Sequence, residues 1–371
     1  MRFRKNVKEL NEALGVVTHA MSSHAAKPIL SCVYVECQDD ELTLACSDGV
    51  MTIIYKTEAE VEVPGTVALP GRILCDIARK LPSDGTALFD VNAVNTLTLK
   101  CFGSRSTLAG SDGMLFPSFP QVDVKKQVTM PQALLKEMIG QTVFAVAPEE
   151  SNRRIITGEL LEVTNGEALM VAIDGFRMAV RRSPVENDAS DFSCVIPGKL
   201  MNELSKFLED DEESMAHIML GDRQLRMDIG EHIVVYATML EGEFIDYRRV
   251  LPTQFKTTVI VNRDQFASCI ERASLFARES QMNLFSMKIS AEKTVITSNS
   301  EYGDLYEELD VEFQGEDLEI GFNVKYFTDI MRNLSDDRVK IGFNGGMSAC
   351  VLGPEEGQEY AFMVLPVRLH A

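Results

Sequence analysis

Residues Leu318 to Leu334 read LEIGFNVKYFTDIMRNL. Leu318, Ile320 and Phe322 alternate with Glu319 and Gly321, the period of a strand with one buried face. Asn323 is suited to cap a helix, because its side-chain oxygen can accept the unpaired amides of a first turn. After it, Phe327, Ile330, Met331 and Leu334 fall on one helical face, and Ser335-Asp336-Asp337 stops the run. The same strand, break and helix occur twice upstream, as TVALPGRILCDIARKLPS from Thr66 and as SCVIPGKLMNELSKFL from Ser193. The three breaks are Pro70, Pro197 and Asn323, so the steps are 127 and 126 residues.

Other features keep that step. Asp48-Gly49 and Asp174-Gly175 lie 126 residues apart, each between alternating apolar runs (LTLACSDGVMTIIY and ALMVAIDGFRMAV), which is a hairpin pattern. A weaker third copy falls at Ser300 in VITSNSEYGDLYEEL. Further helical patterns run over Asn6–Met21, Pro131–Val146 and Asn262–Phe276. Three copies account for the 371 residues, and so long a period means whole domains rather than a solenoid. The expected boundaries are 1–121, 122–245 and 246–371, with linkers over Gly110–Gln121 (GSDGMLFPSFPQ) and about Ile245–Lys256. Strands are expected at Ile29–Cys37, Leu42–Cys46, Met51–Tyr55 and Glu60–Pro70 in the first copy. The fold class is α+β: three similar domains, each with two helices packed on antiparallel sheet of about eight strands.

Composition is that of an ordinary globular protein, 45% hydrophobic and 25% charged. No apolar run approaches the roughly 18 residues of a membrane span, and MRFRKNVKEL lacks the apolar core of a signal peptide. The expectation is a cytoplasmic protein without membrane association. Eight cysteines (Cys32, Cys37, Cys46, Cys75, Cys101, Cys194, Cys269, Cys350) are scattered, with no CxxC, and are expected to be reduced and mostly buried. The net charge of −20 argues, on its face, against binding nucleic acid. The six helical segments nevertheless carry a small positive excess, counting Lys5 in the first. Gathered on one side they would make that side basic, and otherwise they are mixed-charge solvated faces. No phosphate-binding loop, dinucleotide fingerprint, HExxH or GxSxG is present, and the five histidines have no metal-ligand spacing. No metal, cofactor or catalytic residue is expected, and Asp174-Gly175 reads as a turn.

Three stretches are similar to one known family. They are GEHIVVYATMLEGEFIDYRRVLP (Gly230–Pro252), the LEIGFNVKYFTDIMRNL already quoted, and YAFMVLPVRL (Tyr360–Leu369). All resemble the bacterial β sliding clamp, the processivity subunit of DNA polymerase III, and the resemblance spans the chain. It implies a DNA-clamp architecture in which two three-domain chains form a ring as a head-to-tail homodimer, helices lining the hole and sheets forming the wall. It implies no catalysis: the ring encircles double-stranded DNA without sequence preference. It tethers the replicative DNA polymerase, clamp loader and repair proteins through short linear motifs, giving processivity in DNA replication. The sequence also admits a clamp-like DNA-binding paralogue with altered partner specificity, or an enzyme on a threefold repeat whose catalytic constellation is not visible.

The resemblance also implies site residues. One side of the peptide-binding groove maps to Ile156, Ile173, Gly175, Phe176, Arg177, Met178, Arg249 and Val250, and the other to Asn323, Tyr326, Met347, Met363, Leu365, Pro366, Val367 and Arg368. Adaptable Met and branched side chains suit varied anchors, and a flanking Arg suits a peptide's polar end. Ile245, Ile173 and Phe176 stand where the family often has Pro, Thr and His, so the groove is expected to be more apolar. His370-Ala371 extends past the usual last Leu and is expected to crowd the groove mouth. Duplex contact is expected from Arg72, Arg79, Lys80, Arg153, Arg154, Lys199, Lys206, Arg263, Arg272 and Lys325. His24 falls near a basic position of the family. The seam between protomers maps to Leu108 against Leu275 and Phe276, and Ser106 replaces a large apolar residue of some members.

Overall fold

The helix starts follow the Asn caps. In the computed structural model, which describes residues 1–22, 27–185, 191–280 and 283–369, the Asn6 carboxamide accepts from the amides of Lys8 and Glu9 at 2.9 and 3.3 Å. Asn262 accepts from Gln265 at 3.0 Å and Asn323 from Lys325 at 2.9 Å. The helices so begun are Val7–Val17, Arg263–Ala277 and Val324–Arg332. Gly71–Ala78 and Gly198–Leu204 follow prolines instead, and Gln132–Thr142 completes the repeated set.

The described chain forms two compact units. One comprises mainly Met1–Lys136 and Glu203–Met239. It holds a five-stranded antiparallel sheet in the order Glu60–Val63, Arg2–Asn6, Thr86–Val91, Thr96–Cys101, Ser104–Ala109. Its second sheet has eight strands: Lys126–Pro131, Met215–Leu220, Gln224–Ile229, Ile233–Thr238, Met51–Glu58, Glu41–Ser47, Cys32–Gln38 and Gly65–Pro70. Phe3 and Phe89 stack at 4.6 Å, and Val7, Leu10 and Leu14 bury one face of the first helix.

The other unit comprises Glu137–Val185, Asp191–Asn202 and the chain from Leu240 onward. Its nine-stranded sheet runs Phe192–Pro197, Gly158–Thr164, Glu167–Ile173, Arg177–Pro184, Tyr360–Val364, Cys350–Pro354, Arg338–Phe343, Thr257–Asn262, Glu312–Gln314. A four-stranded sheet runs Gly303–Leu309, Thr294–Ser300, Leu284–Ile289, Leu318–Asn323. Helices Arg263–Ala277 and Val324–Arg332 bury Phe266 and Phe327, whose rings meet edge to face at 6.0 Å, and Phe327 also meets Phe285 and Phe322 at 5.1 and 4.9 Å.

The sheets do not stop at the sequence repeats. Met51–Glu58 pairs with Ile233–Thr238, and Arg177–Pro184 pairs with Tyr360–Val364. An unpaired edge strand exposes a row of amides and carbonyls, and joining the edges of successive repeats satisfies them. The same requirement corrects several local expectations. Lys5, whose charge is counted with the first helix, lies in the strand that feeds it and is buried, its ammonium donating to Thr57 Oγ1 and the Glu58 carbonyl at 2.8 and 2.7 Å. The strand expected from Ile29 begins at Cys32, because Pro28–Ser31 forms a 3-10 turn. The single strand expected over Glu60–Pro70 breaks at Pro64-Gly65, and its halves join different sheets. The second linker is part helix, with Tyr247–Val250 coiled and Tyr247 buried. All eight cysteines are free, and all but Cys194 are buried.

One buried group breaks the usual pairing rule. Glu159 is 0% exposed, and among the described residues neither carboxyl oxygen has a hydrogen-bond partner, the Thr142 hydroxyl being the polar group that faces them. Burial disfavours the charged form and pushes its carboxyl up to about 8. An unfolded Glu loses its proton near its ordinary 4.5, whereas the folded one keeps it, so stability falls as pH rises from about 4.5 to about 8. Glu159→Gln removes that loss. Chemical denaturation of the two proteins should diverge by roughly 4 kcal/mol in favour of the variant on going from pH 4.5 to pH 8, and parallel curves would contradict the assignment.

Candidate functional sites

The hairpin between strands Glu167–Ile173 and Arg177–Pro184 is built by Asp174. Its Oδ1 accepts from the amides of Phe176 and Arg177 at 2.8 and 3.0 Å, and Gly175 takes φ +96°. The antiparallel register beyond the turn sets Ile173 opposite Met178, Met178 opposite Met363, and Met363 opposite Val351. Directly opposed residues share a face, so these four side chains make one apolar row across four strands. Ile156, Tyr247, Leu160, Val171 and Val195 belong to the same cluster, with Ile155, Leu240, Phe244, Ile245, Leu251 and Phe255 among the residues packed at its margin. The row is a covered floor: Met178 is 1% and Met363 4% exposed.

Arg177 is placed differently from its expected role. The side chain is buried, donating from Nε to Asp174 at 2.9 Å, from Nη1 to Asp329 at 2.7 Å and from Nη2 to the Phe144 carbonyl at 2.5 Å. Its guanidinium also lies 4.8 Å from the Tyr326 ring and 5.3 Å from the Phe144 ring. Three of its five N–H donors are used inside the protein, and Arg177 braces the hairpin and the helix that carries Asp329. The arginines with free reach are Arg249, exposed and paired with Asp246 at 2.9 Å, and the exposed Arg368. Phe176, 60% exposed, stacks on Tyr326 with centroids 6.5 Å apart.

The chain's end runs along the same region. The Leu365 amide donates to the Phe176 carbonyl at 2.9 Å and the Val367 amide to Gly321 at 2.8 Å. Leu365, Val250 and Met347 are exposed apolar side chains, Pro366 and Val367 are half-buried, and Asn323 caps its helix. The structure thus gathers Ile156, Ile173, Met178 and Met363 into one cluster, and Phe176, Arg177 and Tyr326 into one stack. His370 and Ala371 lie outside the described residues. Sequence reasoning missed Val351, Tyr247 and Asp329. Alternation in CVLGP carried a signal for Val351, but the salt bridge from Arg177 to Asp329 spans 152 positions and left none.

The candidate DNA contacts differ in how free their charge is. Arg72, Lys80, Arg153 and Arg154 are exposed, and none forms an ion pair among the described residues. Arg79 has Asp76 at 3.8 Å, and Lys206 holds Glu203 at 2.6 Å. Lys199 is exposed. Arg263 is half-buried against Asp264, Lys325 donates to Asp329 at 2.6 Å, and Arg272 clamps both oxygens of Glu307 at 2.5 and 2.7 Å. Most of these carboxylates sit one to four residues from their cation, and Glu307, on strand Gly303–Leu309, is the one that helix spacing does not reveal. His24 lies outside the described residues.

At the expected seam, Leu275 is 64% exposed and Phe276 half-buried near Gly303. Ser106 and Leu108 belong to strand Ser104–Ala109, an edge of its sheet, and Gly303–Leu309 is an edge of another. Leu108 sits opposite Leu97 and is 7% exposed, so it fills its own sheet and keeps little surface for a partner. The exposed residues of that strand are Ser104, Arg105, Thr107 and Ala109. Among the described residues no His, Cys, Asp and Glu group could hold a metal ion, and no helix is long and apolar enough to cross a membrane.

Comparison with known proteins gives one family throughout. Models of the DNA polymerase III beta subunit match in order: its N-terminal domain at residues 1–120, its central domain at 129–246 and its C-terminal domain at 248–368. The beta sliding clamp of Bacillus subtilis (strain 168) is 31% identical over 382 residues, covering 100% of both chains. That of Staphylococcus aureus (strain N315) is 30% identical over 374 residues, 98% of this chain and 97% of the relative. The crystal structure of the Bacillus subtilis DNA polymerase sliding clamp superposes with a TM-score of 0.94 at 30% identity over 100% of both chains. A Pseudomonas aeruginosa sliding clamp bound to griselimycin gives 0.93 at 26% identity, again over 100% of both. Matched from end to end in sequence and in fold, the chain belongs to the bacterial β sliding clamp family, the non-catalytic processivity subunit of DNA polymerase III.

Proposed function

We propose that two copies of this chain, each with domains at 1–121, 122–245 and 246–371, close head to tail into a ring around duplex DNA in the cytoplasm. The ring tethers the replicative polymerase, clamp loader and repair proteins through the groove floored by Ile173, Met178 and Met363. The observation that carries this reading is the end-to-end match to a sliding clamp at 31% identity. An encircled duplex cannot leave sideways, so weak attraction from Arg72, Lys80, Arg153 and Arg154 suffices, and tight phosphate contacts would hinder sliding. The chain's net charge of −20 repels DNA from other faces. A clamp-like paralogue with altered partners finds no observation in its favour.

Oligomeric state is the first test. Light scattering at micromolar concentration should give about twice the 41.2 kDa chain mass, and Leu275→Lys with Phe276→Lys should give a folded monomer, since two buried ammonium groups cannot be accommodated in a seam. An unchanged dimer mass would place the seam elsewhere.

Retention on DNA separates encirclement from ordinary binding. A clamp loaded on a nicked circle should stay bound at salt that screens phosphate contacts, and should be lost when the circle is cut. Equal loss from circle and linear DNA would refute topological binding.

Groove occupancy is tested with a QLxLF-type peptide, expected to bind with a dissociation constant on the order of micromolar. Met178→Asp, or deletion of residues from Met363 on, should abolish binding by polarisation assay. Unimpaired binding by the Asp variant would move the groove off the Met178–Met363 row.

A further inference from the structure

We propose that Glu159 is a proton-operated support of the peptide groove, holding the Arg177 wall in its binding form while its carboxyl is neutral and releasing it on ionisation. The proposal rests on the groove reading above. Glu159 occupies strand Gly158–Thr164 between two residues that face the groove cluster. Leu160 belongs to the cluster, and a Cβ on Gly158 would meet Leu240 at 2.7 Å and Val195 at 2.8 Å. Strand alternation therefore turns Glu159 to the other face, where it is fully buried and meets the hydroxyl of Thr142.

Thr142 ends helix Gln132–Thr142 and opens the turn Val143–Ala145. Its hydroxyl donates to the Met138 carbonyl at 2.7 Å, and toward Glu159 it favours the charged form, so an ionised Glu159 competes with that carbonyl for the one hydroxyl proton. While the carboxyl is neutral the hydroxyl proton stays on the Met138 carbonyl and the helix end is undisturbed, and a carboxylate draws it away. Two residues on, the Phe144 carbonyl takes the Arg177 Nη2 hydrogen bond, and its ring lies beside the guanidinium. Arg177 in turn holds Asp174 at the hairpin and Asp329 on helix Val324–Arg332, and lies beside Tyr326, on which Phe176 stacks. A charge at Glu159 has no opposite charge beside it and must recruit water or move, and what yields is the turn that seats Arg177.

No neighbouring charge masks the effect. On the surrounding elements, Glu137 pairs with Arg181, Lys136 with Asp210 and Glu162 with Arg248. Glu167 is exposed. Across the sheet Ile196 lies opposite Glu159, and burial pushes the nearby Cys194 thiol up to about 12, so it stays neutral. Only burial and the Thr142 hydroxyl act on the Glu159 carboxyl, and they leave it titrating at about 8, just above neutrality.

The test is a pH series from 7 to 9 on the full chain, wild type against Glu159→Gln, with both proteins confirmed folded by thermal melting. Polarisation of a labelled QLxLF-type peptide should report an affinity falling about fivefold or more for the wild type and holding steady for the variant. A wild type that does not change, or a variant that falls in parallel, overturns the proposal. Hydrogen exchange without peptide makes the two readings separable. After correction for base catalysis, amides 143–145 and 177 should exchange faster with rising pH in the wild type alone. Peptide that fails to bind at pH 7 while this exchange difference appears sinks the groove reading and keeps the switch. No exchange difference sinks the switch whatever the peptide does.

Discussion

Everything at the groove depends on the pairing of strand Arg177–Pro184 with Tyr360–Val364. These strands come from different sequence repeats, and their ladder of backbone hydrogen bonds closes an edge that each repeat would otherwise expose. The register is what matters. Met178 meets Met363 and Arg177 meets Val364. A slip of one residue in either strand would turn its methionine to the other face and break the row that continues through Ile173 and Val351. The apolar row is thus a consequence of sheet closure.

The nine-stranded sheet also explains how a buried guanidinium is tolerated. A buried charge is tolerated when it is hydrogen-bonded and an opposite charge is near. The turn supplies Asp174, a helix supplies Asp329 and a helix-terminal turn supplies the Phe144 carbonyl. Three elements distant in sequence are drawn to one cation, and the exposed Phe176–Tyr326 pair sits on the result. Glu159, in the same unit, is the opposite case. It has burial without a charged partner and so remains neutral near pH 7. One buried group gives the wall rigidity and the other makes that rigidity depend on a proton.

Charge elsewhere follows a simpler logic. The chain is acidic overall, and many of its helical cations are matched locally: Arg272 by Glu307, Lys325 by Asp329, Lys206 by Glu203. Arg72, Lys80, Arg153 and Arg154, which form no ion pair among the described residues, lie on exposed positions. Sparse unpaired cations attract a polyanion weakly and over a distance set by salt, which fits a protein that holds DNA by enclosure.

Local structure and its repetition were legible in the sequence. Asn323 and Asn262 announced their helices because capping is a contact between neighbours in the chain. Asp48-Gly49 and Asp174-Gly175 announced hairpins because left-handed φ values favour glycine. The family was legible because motifs such as DYRRVLP and GFNV sit in the same order as in known clamps. What only the tertiary structure decided involves partners far apart in the chain. The joining of repeats into shared sheets, the burial of Leu108 and Lys5, the capture of Arg177 by Asp329 and the isolation of Glu159 all depend on which strand edges meet. Alternation and helical period record which way a residue faces, but not what lies opposite, and the energy of a buried charge is set by what lies opposite.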